Sequence, residues 1–224
     1  MNITALLTAK GTPKHFWKIQ DKCVVEYPMI AANGSHHINK GYVASEHDDI
    51  NRFGELYNFK TIKMPSKYGK ATSQHIDHIN YAVDHMEDKP DILVVILGNN
   101  VCIKPEWIDG AIEQLISDPS ATSVVPVYQD QEHHPVRAKY LNHAGYLSSQ
   151  VDANFESTNR QELSDNYFLC HNFWVLRWPL DEYGGDSPWM FMGYRSRPYI
   201  VDFSQDIHEK EDLIRATEWV RTNG

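Results

Sequence analysis

Residues 91–97 (DILVVIL) constrain the fold of this chain more than any other stretch. Six apolar residues follow one aspartate without a polar interruption. A strand with one face in water alternates apolar and polar side chains. A strand that is apolar throughout is covered on both faces, as at the centre of a parallel sheet between helices. The neighbouring segments agree with that reading. Residues 3–8 (ITALLT), 41–45 (GYVAS) and 59–64 read as short strands. Helical patterns lie between them: 24–32, ended by Asn33-Gly34, then an acidic start at Glu46, His47, Asp48 and Asp49. A third helix, capped by Thr72 or Ser73, carries Ile76, Ile79, Val83 and Met86 on one face. Pro105 opens a helix running to Ile116, and 122–127 (TSVVPV) return as a strand. Strand and helix alternating at this spacing imply right-handed crossovers and a mainly parallel sheet. Ligands of such sheets bind beyond the carboxyl ends of the strands. The site is therefore expected on the rim formed after Thr8, Ser45 and Leu97, with Leu7, Ala44 and Leu97 near the ends of neighbouring strands.

The second half is less regular. Residues 128–165 are polar and too long for an ordinary connection. Residues 168–176 (FLCHNFWVL) read as one strand, and 209–220 as a closing amphipathic helix. The aromatic residues Trp174, Trp178, Tyr183, Trp189, Phe191, Tyr194 and Tyr199 serve either to pack against the sheet or to stack on a ligand ring.

A length of 224 residues suits one α/β domain, 1–224, with a small protruding segment at 128–165. The net charge is −9 and no basic block occurs, which excludes a general nucleic-acid binder. A nucleotide needs only two or three placed cations and is not excluded. Cys23, Cys102 and Cys170 are odd in number, far apart and set among apolar neighbours, so buried free thiols are expected. No apolar run is long enough to cross a membrane and no secretory leader pattern is present, so a cytoplasmic, non-membrane protein is expected.

Three places carry candidate chemistry. The first strand runs into Ala9, Lys10, Gly11, Thr12, Pro13 and Lys14. Glycine lets a phosphate approach backbone N–H groups, and two lysines can neutralise a triphosphate; a plain surface turn is the other reading. The Walker pattern is absent. Asn99 and Asn100 follow the central strand; an amide suits a base, ribose or sugar hydroxyl better than a metal ion. Asp206 and His208 follow a strand-like run and lie two apart, so on extended chain they face the same way. They either hold a cation or cap the last helix. His75, His78 and His85 share one helix without a metal-ligand spacing and are assigned to its solvated face. His36, His37, His133 and His134 read as loop residues.

These motifs resemble, in order along most of the chain, the cytidylyltransferase group that includes CMP-acylneuraminate synthetases. Ala9-Lys10-Gly11 and Lys14-His15-Phe16 resemble that family's A-R-G-G-S-K and K-N-I, with Lys10 standing for Arg and a shorter loop between. Residues 43–50 (VASEHDDI) resemble V-S-T-D-D-E-E-I, and Pro65, Ser73 and Asp77 resemble its R-P-x-x-L and S-x-x-D. Residues 95–112 resemble V-L-L-Q-P-T-S-P-L-R-x-x-x-D-I-D-x-A-I; His134-Pro135 and 159–163 resemble its H-P and R-R-Q-D-L. Asp206-Ile207-His208 with Glu211-Asp212-Leu213 resembles I-D-I-D-T-x-x-D-L, His208 standing for the second Asp.

The resemblance implies a Rossmann-like α/β nucleotidyltransferase fold and an enzyme that joins CTP and a sugar acid to give a CMP-sugar and pyrophosphate. It implies Lys10, Lys14 and Asp206 as catalytic, and Ala9, Lys10, Gly11, Lys14, Ser73 and Asn99 as nucleotide-binding. Asn100, Arg160 and Gln161 would meet the acceptor, Arg160 at its carboxylate. Asp206 and His208 would hold Mg²⁺, or Mn²⁺ because one ligand is a softer nitrogen. It further implies a homodimer in which 159–163 reach the partner's site. The alternatives are another nucleoside triphosphate, another acceptor, or a degenerate nucleotide-binding protein without transfer.

Overall fold

A computed structural model describes residues 1–70, 72–151, 159–181 and 183–223. The chain runs through β1 (Ile3–Thr8), the short hairpin β2 (Lys18–Ile19) and β3 (Lys22–Cys23), α1 (Glu26–Gly34), β4 (Lys40–Ser45) and α2 (Asp48–Leu56). Then follow β5 (Lys60–Lys63), α3 (His75–Asp84), β6 (Ile92–Leu97), α4 (Pro105–Ser117) and β7 (Ser123–Gln129). The remainder is β8 (Lys139–Leu141), β9 (Leu147–Ser149), β10 (Tyr167–Leu169), β11 (Phe173–Arg177), β12 (Ser196–Ile200) and α5 (Asp212–Asn223).

The main sheet has the order β10-β7-β11-β6-β1-β4-β5, with β12 beside β7. β1 pairs in parallel with β4 and β6, and β4 with β5. Thr8 stands opposite Ala44 and Leu97, so the expected common rim exists. The run at 91–97 is the reason the sheet is sandwiched. Ile92, Val94 and Ile96 pack on one side with Met29 of α1 and Ile108, Ile112 and Leu115 of α4. Leu93, Val95 and Leu97 pack on the other with Ile79 and Val83 of α3. Each such side chain, buried completely, contributes about 1.5–3 kcal/mol. A polar residue anywhere in β6 would face one core or the other. A third, smaller cluster ties α5 (Ala216, Val220) and the β2–β3 hairpin (Ile19) to Val101 and Cys102, just past the rim.

The sheet is mainly parallel between helices, as expected, with β11 lying antiparallel between β6 and β7. Other expectations change. The single strand expected at 168–176 is two: β10 pairs with the far end of β7 and β11 with its start, and Cys170, His171 and Asn172 break the run. Asn172 causes the break locally, since its Oδ1 accepts from Phe173 N and its Nδ2 donates to the Cys102 carbonyl at 3.1 Å. Neither Thr72 nor Ser73 caps α3; Gln74 precedes it without a side-chain cap, and Ser73 Oγ donates to the Lys67 carbonyl instead. The three cysteines are free and buried, as expected. No helix among the described residues is long and apolar enough to cross a membrane. The 128–165 segment carries the β8–β9 hairpin; its residues 152–158 lie outside the described residues.

Candidate active site

A cavity of about 500 Å³ opens at the carboxyl ends of β1 and β6, where the topology demands it. Thr8, Ala9, Lys10, Thr12, Lys14 and His15 form one wall, from the loop after β1. Ser73, Gln74, His75 and His78 come from the start of α3, Asn99 from the loop after β6, and Asp206 and His208 from the segment before α5. His171 and Trp189 complete it. The third expected rim segment, after Ser45, does not line the cavity. His47 turns instead onto Gly11 and packs at a tilt against Phe16, ring centroids 5.2 Å apart.

Gly11 therefore has a structural role not foreseen. Its φ is +62°, and an added Cβ would lie 2.4 Å from His47 Cβ. Gly11 does not line the cavity, so close approach of a phosphate is not what requires a glycine here. Lys10 lines the cavity but its Nζ donates to the Lys70 carbonyl at 2.9 Å, across the mouth. Lys14 lies in a short turn, Pro13–Phe16, whose first position suits proline. Its Nζ lies 3.2 Å from His208 Nδ1. An ammonium only donates, so that nitrogen accepts. Burial lowers the Lys14 pKa, opposed by the charges of Asp206, Asp212 and Glu209.

Asp206 is the only carboxylate lining this cavity among the described residues. Its Oδ1 accepts from Asn100 Nδ2 at 2.8 Å, and Oδ2 lies 3.8 Å from His208 Nε2. Burial raises its pKa; the Asn100 hydrogen bond and the charges of His171, His208 and Lys14 work against that rise. The capping role for Asp206 and His208 is overturned. α5 begins at Asp212, whose Oδ2 accepts at 2.8 Å from the backbone N–H groups of His208 and Glu209 in the turn before it, while Asp206 Oδ1 is taken by Asn100.

Asn100 is a second correction. It is fully buried and does not line the cavity, so it meets no substrate hydroxyl here. Its Nδ2 donates to Asp206 and to Ser204 Oγ, and its Oδ1 accepts from Cys102 N at 2.9 Å. Every polar atom of the side chain is engaged in orienting Asp206 and the loop behind it. Asn99 does face the cavity, with Nδ2 to the Ile207 carbonyl at 3.3 Å. Arg160 and Gln161 are exposed and do not line the cavity of their own chain; Arg160 pairs with Glu132 at 3.0 Å.

Four histidines in the lining were missed or misread as site residues. His75 and His78 are not on a solvated face; only His85 is exposed. His78 Nε2 lies 2.8 Å from the Tyr68 carbonyl, and that nitrogen must therefore carry the proton. The signal was present: His75 and His78 fall on the stripe of Ile79, Ala82 and Val83. Burial lowers the pKa of His15 and of His75 to about 4, and that of His78 and His171 in the same direction. These rings are neutral at pH 7. His171 had no sequence signal, since the pairing of distant strands brings it to the cavity; His15 comes with the loop after β1, next to Lys14. Of the aromatic run, Trp174 and Phe191 are core, Trp189 lines the cavity, and Tyr183 and Tyr194 are exposed.

The cavity thus joins two lysines, neutral side chains from the start of α3 and one carboxylate. N-acylneuraminate cytidylyltransferase of Oncorhynchus mykiss is 25% identical over 216 residues, 92% of this chain and 48% of that protein. N-acylneuraminate cytidylyltransferase A of Danio rerio is 26% identical over 92% of this chain and 49% of its own length. The chain spans about half the length of these relatives. Among solved structures, CMP:2-keto-3-deoxy-manno-octonic acid synthetase complexed with CTP superposes with a TM-score of 0.73 at 12% identity, covering 100% of both chains. The 4-diphosphocytidyl-2C-methyl-D-erythritol synthase of Anaerococcus prevotii gives 0.68 at 12% identity over 98% of this chain and 96% of its own. At such identity these two structures speak for the fold. The cytidylyltransferase family model matches residues 12–162, from the lysine loop through the central strand into the protruding segment, and the chain belongs to that family.

Proposed function

We propose that the chain transfers a cytidylyl group from CTP to a sugar acid, releasing pyrophosphate. The observation that carries this is the placement of Asp206, held by Asn100, in one cavity with Lys10 and Lys14. The acceptor oxygen attacks the α-phosphorus in line. A new O–P bond forms, the bond to the bridging oxygen breaks with its electron pair, and pyrophosphate departs while the acceptor hydroxyl proton is lost to solvent. Catalysis of this kind is mainly positioning and neutralisation of charge. Lys14, with Lys10 once released from the Lys70 carbonyl, neutralises the triphosphate. Ala9, Ser73 and Asn99 line the same pocket and contact the nucleoside.

No cluster of three or more metal-ligating side chains exists among the described residues, so the protein offers no cage. One half-buried carboxylate fits an ion completed by phosphate oxygens and water, as Mg²⁺ favours. His208 Nδ1 accepts from Lys14, so in the neutral ring Nε2 carries the proton beside Asp206, and a ring nitrogen becomes free to ligate once the Lys14 contact opens. Asp206, with His208 beside it, would hold Mg²⁺ or Mn²⁺. When bound, such an ion supplies positive charge to the phosphates as charge develops on them.

Pyrophosphate release, measured for the four nucleoside triphosphates against a panel of sugar acids with Mg²⁺ or Mn²⁺, tests the reading. Release with CTP and an acid is the expected result. Release with another triphosphate overturns the nucleotide assignment. CTP binding without release from any acceptor identifies a nucleotide-binding protein without transfer.

Lys14→Ala is expected to weaken CTP binding ten- to a hundredfold, about 1.5–3 kcal/mol for a charge-assisted contact. Its melting temperature should move little, because a partly exposed lysine contributes little to stability. Calorimetric titration beside thermal unfolding checks both.

We also propose a homodimer through the 128–165 segment. Tyr140, Leu141, Tyr146 and Leu147 of the β8–β9 hairpin are exposed together, an apolar surface that monomers seldom carry. Sedimentation at micromolar concentration is expected to give a dimer, and Leu141→Asp with Leu147→Asp a monomer. A wild-type monomer overturns this assembly, and with it any role of Arg160 and Gln161 across the interface.

A further inference from the structure

A second cavity, of about 450 Å³, adjoins the first. Asp206 and His171 line both, so they form the wall the two share. Arg215 of α5 is the only lysine or arginine lining the second cavity among the described residues, in a lining that also holds Asp130, Asp202 and Asp206. Its guanidinium carbon sits 5.7 Å from the centre of the Phe203 ring, and no ion pair engages it among the described residues. A guanidinium braced on an aromatic face keeps its N–H fork free for a carboxylate. The hydroxyls of Tyr128 and Ser204 line the same space and suit a ligand rich in hydroxyl groups.

The geometry of transfer gives this cavity a use. An entering oxygen must approach the phosphorus from the side away from the departing pyrophosphate. The lysines line only the first cavity, and the second meets it at Asp206. A ligand in the second cavity therefore presents its hydroxyl at the carboxylate, from outside the nucleotide's space. We infer that the second cavity is the acceptor subsite and that Arg215 binds the acceptor's carboxylate within the same chain. This rests on the transfer reading above. It also assigns to Arg215 what the sequence motif suggested for Arg160, which is paired with Glu132 away from both cavities.

Two acids with neutral controls test it: N-acetylneuraminic acid and 2-keto-3-deoxy-manno-octonic acid, and their methyl esters. Affinity is measured calorimetrically in the presence of CTP for wild type, Arg215→Ala, Arg215→Lys and Arg160→Ala. Arg215→Ala is expected to lower acid affinity at least tenfold and leave ester and CTP affinity unchanged, with Arg215→Lys intermediate. Equal loss for acid and ester would mean lost packing rather than carboxylate recognition, and overturns the assignment. So does a loss seen with Arg160→Ala instead, or the absence of binding by both acids. The two proposals separate in turnover. Pyrophosphate release from CTP with an unchanged acceptor KM in Arg215→Ala defeats the subsite and leaves transfer standing. Absence of release in wild type, with acid binding still dependent on Arg215, defeats transfer and leaves the subsite.

Discussion

Asp206→Asn is expected to lower kcat by on the order of a thousandfold or more, while metal-free CTP binding changes less than about threefold. The asymmetry follows from what the carboxylate does. A cation held there acts on charge that develops during transfer, so its loss falls on rate rather than on ground-state binding. Stability should be retained. An amide at 206 has the same shape, and its oxygen still accepts from Asn100 Nδ2, which now reaches Asp206 at 2.8 Å. Burial already disfavours the charged form of Asp206, so a neutral replacement relieves a desolvation cost. His208→Asp should move the preference from Mn²⁺ toward Mg²⁺, because a second hard oxygen replaces a nitrogen. Turnover and melting temperature are to be measured on one Asp206→Asn preparation. A folded variant with normal turnover would sink the cation-site assignment.

The second large effect is loss of stability in mild acid. His15 and His75 are buried neutral, with pKa values lowered from 6.5 to about 4. The unfolded chain takes up these protons near pH 6.5 and the folded chain only near pH 4. Stability from this source is fully present above pH 6.5 and falls as pH drops through that window. For His15, which is only 4% exposed, the full loss is about 3 kcal/mol. His78 and His171, lowered in the same direction, add to it. Asp206 works oppositely, since a raised carboxyl pKa means that protonation favours the folded state. The histidines outnumber it. Urea unfolding between pH 7.5 and 4.5 should show the decline, beginning well above the ordinary carboxylate range. His15→Gln, which can still donate to the Thr12 carbonyl that His15 Nδ1 now meets at 3.1 Å, should flatten the slope. A slope unchanged in that variant would remove His15 from the account.

Much of the fold could be read before any coordinates. The apolar run at 91–97 demanded two covering layers, and the structure supplies one core on each face of β6. The spacing of strands and helices required a common rim, and Thr8, Ala44 and Leu97 stand level on it. Ordered motifs were enough to identify the family and to single out Lys10, Lys14, Asn99, Ser73 and Asp206, all of which line one cavity. These are local or periodic properties, fixed by which residues are neighbours along the chain.

What only the tertiary structure decided depends on pairing between distant segments. Whether Asp206 caps a helix or faces a cavity turns on where α5 begins, and the helix begins only at Asp212. Whether Asn100 touches substrate turns on its bridge to Asp206, more than a hundred residues away in sequence. His171 joins the cavity because β11 inserts antiparallel between β6 and β7, an arrangement no alternation of strand and helix foretold. His75 and His78 are neutral because the fold removes water from them, and burial is a property of the packed chain rather than of a residue. Sequence determined which groups were available for chemistry; packing decided which of them face one another, and in what state of charge.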